Sequence, residues 1–206
     1  MNSFASQLRS QFPTLAFDFD SALPRVHLAC DGARAEVILQ GAHLSRFQTA
    51  SGDDMIFASR QARFEQGKSF HNGVPVVFPW FGPNQDDSSA PAHGFARQMN
   101  WDIEDANANS VTLSLQSNAQ TLDKWPHPFR LSYGVRLEAE KLGLTLQIFN
   151  TGDAAFRFET ALHTYLRVGD VRASDVCGVE IGGLDGKTYL DKPQKIKNPR
   201  SKLRGI

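Results

Sequence analysis

The chain has 206 residues, 41% of them hydrophobic, which is enough for one large domain with a substantial core. Its 22 Lys and Arg balance 22 Asp and Glu, so no net field draws nucleic acid or an anionic membrane to it. No stretch approaches the ~18 apolar residues of a membrane span, no apolar leader segment follows Met1, and Cys30 and Cys177 show neither metal-ligand spacing nor a disulfide framework. A soluble cytoplasmic protein with buried thiols is the expectation.

Residues 3–12 form an amphipathic pattern stopped by Pro13, which predicts a short helix. Period-two alternation follows. Phe17 and Phe19 alternate with aspartates, Val26 and Leu28 with His27 and Ala29, and 36–40 reads as a buried strand broken by Gly41. A strand resumes over 43–48, 51–54 is a turn, and Met55-Ile56-Phe57 is a short apolar strand.

The stretch 70–97 breaks the pattern. Pro75, Pro79 and Pro83 flank aromatics, an acidic-serine loop follows, and the run closes on Pro91-Ala92-His93-Gly94-Phe95-Ala96-Arg97. It is too rich in proline for a helix or a paired central strand, so the rest of the fold must hold it in place. Ordered loops of this kind carry binding groups. Gly94 allows close approach of backbone or ligand beside His93, and the Arg97 fork suits an anionic or polyhydroxylated ligand.

Alternation then returns. Val111, Leu113 and Leu115 oppose polar residues, and a loop carries Trp125-Pro126-His127-Pro128. In the clearest strand, Phe129, Leu131, Tyr133, Val135 and Leu137 oppose Arg130, Ser132, Arg136 and Glu138. Leu142, Leu144, Leu146 and Ile148 repeat the pattern before the turn at Asn150-Thr151-Gly152-Asp153. A further strand is expected over 156–166, with His163 sharing a face with Arg157, Glu159, Ala161 and Tyr165. Many antiparallel strands at turn spacing indicate a large β-sandwich, with 1–206 as a single domain. The basic stretch 192–206 has no period, so 193–206 is expected to be an irregular tail.

Motif absences narrow the chemistry. No two histidines are close enough in sequence for the usual two-histidine, one-carboxylate iron site. There is no Gly-x-Ser-x-Gly and no phosphate-cradling glycine loop. No metal is expected.

Three ordered blocks resemble the glucose-6-phosphate 1-epimerases, the hexose-6-phosphate mutarotases of the aldose 1-epimerase superfamily. They are Gly73-Val74-Pro75-Val76-Val77-Phe78-Pro79-Trp80-Phe81-Gly82, then Pro91-Ala92-His93-Gly94-Phe95-Ala96-Arg97, and later Ala161-Leu162-His163-Thr164-Tyr165 with Val168-Gly169-Asp170. Trp125-Pro126-His127-Pro128-Phe129 and Tyr189-Leu190-Asp191-Lys192 look like further family blocks. The resemblance implies a galactose-mutarotase-like supersandwich, incomplete at its C-terminus. It also implies interconversion of α and β anomers of an aldohexose 6-phosphate, with no cofactor and with a sugar phosphate as the small-molecule partner. By motif match His163 is the general acid, while His93, Arg97, His71 and Ala92 bind substrate. Two departures accompany the likeness. His71-Asn72-Gly73 stands where the family commonly reads Arg-Gly-Gly, which favours an unphosphorylated hexose as the alternative substrate. The glutamate base and the aspartate that the family carries near the end of a longer chain match nothing here, Glu159 and Glu180 included. A sugar-binding module without catalysis is therefore the other reading.

Overall fold

The computed structural model describes residues 3–58 and 63–168, with the backbone at 186, 188–189 and 201–202. The chain divides into two compact units, Met1–Arg167 and Val168–Ile206. In the second, β11 (Thr188–Tyr189) pairs antiparallel with β12 (Ser201–Lys202), the latter within the stretch expected to be irregular. The expected blocks around Val168-Gly169-Asp170 and Tyr189-Leu190-Asp191-Lys192 lie largely outside the described residues.

The first unit opens with α1 (Ser3–Gln11), which buries Ala5 and Leu8 and stops where Pro13 would remove a helical N–H donor. An antiparallel sheet of four strands follows in chain order. It comprises β1 (Ala16–Asp18), β2 (Arg25–Cys30), β3 (Ala33–Ile38) and β4 (His43–Gln48). After the two-residue β5 (Val76–Val77) and a short 3₁₀ turn at Ala96–Gln98, a second four-stranded antiparallel sheet is built. It contains β6 (Asp102–Asn107), β7 (Ser110–Gln116), β8 (Phe129–Leu137) and β9 (Leu142–Asn150), with α2 (Ala119–Lys124) between β7 and β8. The expected antiparallel sandwich is the observed architecture.

Alternation explains how the sheets meet. Val26 and Leu28, Ala35 and Val37, and Leu44 form the inner face of the first sheet. Val111, Leu113 and Leu115, with Leu131, Tyr133 and Val135, face them from the second, all within one buried cluster. Fully burying each such side chain contributes roughly 1.5–3 kcal/mol, so this layer dominates the fold. A smaller cluster of Leu23, Ile38 and Phe70 sits apart from it. There the His43 ring meets Phe70 edge-on, with centroids 5.1 Å apart.

The sequence pattern missed α2 and β6 and overstated the strand over 156–166. Helix α2 lies just before the loop expected at 125–128, started by a reciprocal cap in which the Asn118 side chain accepts from the Thr121 amide and the Thr121 hydroxyl accepts from the Asn118 amide. The expected strand over 156–166 is reduced to β10 (Ala161–Leu162), paired with β5 through Ala161 opposite Val77 and Leu162 opposite Val76. The segment nevertheless stays extended in one register along 73–79. The amides of Glu159, His163 and Tyr165 donate to the carbonyls of Pro79, Pro75 and Gly73 at 2.9, 3.0 and 2.9 Å. Pro79 and Pro75 have no N–H to return, so the ladder is one-sided at both positions and the regular strand is cut short.

Candidate active site

The proline-rich stretch 73–82 and the segment 159–165 lie side by side, and their residue order decides what faces outward together. His93 sits at φ 65°, in the left-handed region, followed by Gly94 at φ 71°. A non-glycine residue there costs about 1–2 kcal/mol, so its surroundings must hold it. They do: the His93 amide donates to the Gly82 carbonyl at 2.7 Å, and the Gly82 amide donates to His93 Nδ1 at 3.1 Å. Because Nδ1 accepts, the neutral ring carries its proton on Nε2. Gly94 is required for closeness as well as for φ. A Cβ there would overlap the Phe78 carbonyl oxygen, which itself accepts from the Phe95 and Ala96 amides at 3.1 and 3.3 Å.

His163 comes to the same place from the other segment. Its ring lies 5.6 Å from that of His93, with planes inclined by 74°. Phe81 meets His93 edge-on at 4.8 Å and lies nearly parallel to His163 at 6.5 Å. Tyr165, which shares the His163 parity, tilts against it at 5.0 Å. The Phe81 backbone is fixed by its amide donating to Glu159 Oε2 at 2.8 Å. Two imidazoles thus sit in a box of aromatic rings whose walls are tied by backbone hydrogen bonds.

Arg97 lies behind this box. It is 8% exposed, and its Nη2 donates to the Ala92 carbonyl at 2.7 Å. Among the described residues its buried Nε meets no acceptor. Burial pulls its pKa below the ordinary guanidinium range, and the nearby Tyr165 opposes that shift. A buried cation with an unused donor costs several kcal/mol unless an anion or a rich acceptor set completes it.

The expected site residues therefore separate. His93 and His163 are in ring contact, and Ala92 joins His93 to Arg97 through its carbonyl; Tyr165, not among the expected residues, adds its ring to His163. His71 is exposed; its neighbour Asn72 is the buried one, its Oδ1 2.9 Å from His43 Nε2. Burial keeps His43 neutral, driving its pKa down to about 4 against the Asn72 hydrogen bond and the charge of Glu36, which raise it. Gly73 at φ 63° leaves room for it, since a Cβ would come within 2.6 Å of His43 Nε2. Phe81 and the Glu159 anchor were not singled out in the sequence, although Glu159 was known to share the His163 face. Among the described residues, no group of three or more His, Cys, Asp or Glu is arranged to hold a metal.

The aldose 1-epimerase family profile matches residues 24–202. A protein of Escherichia coli K12 provisionally named glucose-6-phosphate 1-epimerase is 34% identical over 168 residues, covering 80% of this chain and 53% of its own. One of Cenchrus ciliaris with the same provisional name is 32% identical over 200 residues, covering 90% and 57%. Among solved structures, a provisionally named mutarotase of Salmonella typhimurium superposes with a TM-score of 0.66 at 28% identity, over 81% of this chain and 58% of that one. A galactose mutarotase-like protein of Lactobacillus casei shares the fold, with a TM-score of 0.57 at 21% identity over 66% and 47%. The chain spans about half the length of the curated relatives it matches.

Proposed function

The chain belongs to the aldose 1-epimerase family, and from that premise we propose that it interconverts the α and β anomers of an aldohexose 6-phosphate, glucose 6-phosphate first. The observation that carries this reading is the convergence of His93 and His163 beside the buried, incompletely bonded Arg97. Ring opening requires an acid at the ring oxygen and a base at the O1 hydroxyl, and with no side chain here assigned the base the O1 proton passes to solvent water. Rotation about C1–C2 then lets the ring close on the other face with the roles reversed. His163 is the acid, since its ring reaches the same place as His93 and a positioned proton donor of this kind contributes ~10²–10⁴-fold. His93 donates from Nε2 to a sugar oxygen, the proton position following from the Gly82 bond to Nδ1. Arg97 completes its donor set on the phosphate or on sugar hydroxyls. Phe81 and Tyr165 exclude water around the imidazoles. Glu159 holds Phe81 and is not assigned the base.

Anomer exchange followed by NMR, with glucose 6-phosphate and glucose in parallel, tests the proposal. A saturable acceleration for the phosphate and a weaker one for glucose is expected. Equal acceleration would remove the phosphate from the reading. Saturable binding without acceleration would replace it with a sugar-binding module.

A further inference from the structure

On the far side of the same strap lies a groove of about 420 Å³ that the anomerase reading does not use. Phe81 meets the histidines, while Trp80 lines the groove and packs edge-on against Phe95 at 5.7 Å. The Trp80 indole N–H is satisfied by the Pro91 carbonyl at 3.0 Å, so the ring is locked as a wall. Trp125 and Phe158 supply two more aromatic walls. Trp125 is wedged edge-on against Phe78 and Phe156 at 5.4 and 4.8 Å, and Phe158 is 43% exposed.

The polar lining comes from Asn84, Gln85 and Asp86 of one loop and from Arg157 and Glu159 of the facing segment. The loop that carries Gln85 and Asp86 is ordered by its own side chain: Asn84 Oδ1 accepts from the Asp86 and Asp87 amides at 2.8 and 3.1 Å. Flat apolar faces beside planar amide, carboxylate and guanidinium groups match a pyranose, which offers C–H faces and vicinal hydroxyls. Charge selects among sugars. Asp86 and Glu159 outnumber Arg157 in the lining, so the groove disfavours a phosphorylated ring, whereas the face beyond the strap has Arg97.

We infer that this groove is a second sugar subsite, taking a neutral pyranose unit. It adjoins the candidate active site through Glu159, whose amide and carboxylate hold Pro79 and Phe81 at 2.9 and 2.8 Å. A neutral glycosyl unit next to the reacting hexose, as in a reducing disaccharide, is the ligand class it fits.

Two-dimensional NMR of the tryptophan indoles provides the test, with maltose and glucose 6-phosphate as separate probes. Trp101, 2% exposed and donating to the Ala96 carbonyl at 3.0 Å, is the internal control. Maltose is expected to shift the Trp80 and Trp125 indole signals saturably and to leave Trp101 in place. Asp86→Ala and Gln85→Ala, both at exposed loop positions, should each weaken maltose binding roughly five- to tenfold, the worth of about one hydrogen bond. Absence of maltose-dependent shifts at Trp80 and Trp125, or full binding in both loop variants, overturns the subsite. The histidine ring signals answer separately for the anomerase reading. If glucose 6-phosphate moves His163 while maltose moves neither indole, only the subsite fails.

Discussion

The rings of His93 and His163 meet at 5.6 Å although they enter from segments far apart in the chain, one through a left-handed turn and the other just past the two-residue β10. Replacing His163, the proposed acid, should separate chemistry from folding. His163→Ala is expected to lower anomer exchange by ~10²–10⁴-fold while thermal unfolding changes little, because the ring is only half-buried. His93→Ala should raise KM as well as lower kcat, since it removes the proposed donor to the sugar. A normal exchange rate in His163→Ala removes it from the acid role.

His43 makes stability depend on pH. Folded, its pKa lies at about 4 against an ordinary 6.5, because burial disfavours the charged ring. Between those values the unfolded chain binds a proton that the folded chain refuses. Stability is therefore complete above about pH 6.5 and falls as pH drops toward 4, by about 3 kcal/mol across the window. Urea unfolding at stepped pH should show this slope, and His43→Gln should flatten it. An unchanged slope in that variant would assign the acid sensitivity elsewhere.

Gly94→Ala combines a left-handed φ with overlap on the Phe78 carbonyl. Denaturant midpoints should report a loss of about 2–4 kcal/mol. Any folded fraction should have displaced His93 and so have reduced exchange activity. A near-neutral result would mean that the close approach of Gly94 to Phe78 is not needed.

The Tyr133 hydroxyl is buried in the sandwich with no hydrogen-bond partner among the described residues, and burial raises its pKa. Tyr133→Phe removes an unsatisfied polar group and keeps the ring. A gain of about 1 kcal/mol, or ~2–4 °C in Tm, is expected by calorimetry. A clear loss would show that the hydroxyl has a partner after all.

What the sequence made legible follows from what alternation encodes. The five inward residues of β8, from Phe129 to Leu137, were readable because one buried face forces period two. β6 was missed because Asp102, Glu104 and Asp105 mask its two inward residues, and its register shifts between Ile103 and Asp105. The short α2 gave too few apolar positions for a helical period. The His93–Gly94–Arg97 run could be marked as a site because its residue types are unusual in a loop. The burial of Arg97, the neutrality of His43 and the pairing of Phe81 with Glu159 are products of tertiary packing, which no local pattern records. The reduction of the expected 156–166 strand was implicit in Pro75 and Pro79 but required knowing which segment they would face.

In an ordinary antiparallel pair each hydrogen-bonded rung carries two bonds. At Pro79 and Pro75 it carries one, given by Glu159 and His163. The backbone that bears His163 is thus fastened less densely than the middle of the second sheet, where β8 is paired on both flanks by β7 and β9. Local opening should begin there. Deuterium should enter the amides of Glu159 and His163 before those of Leu131 and Tyr133, so the candidate site opens while the sandwich beneath it stays closed.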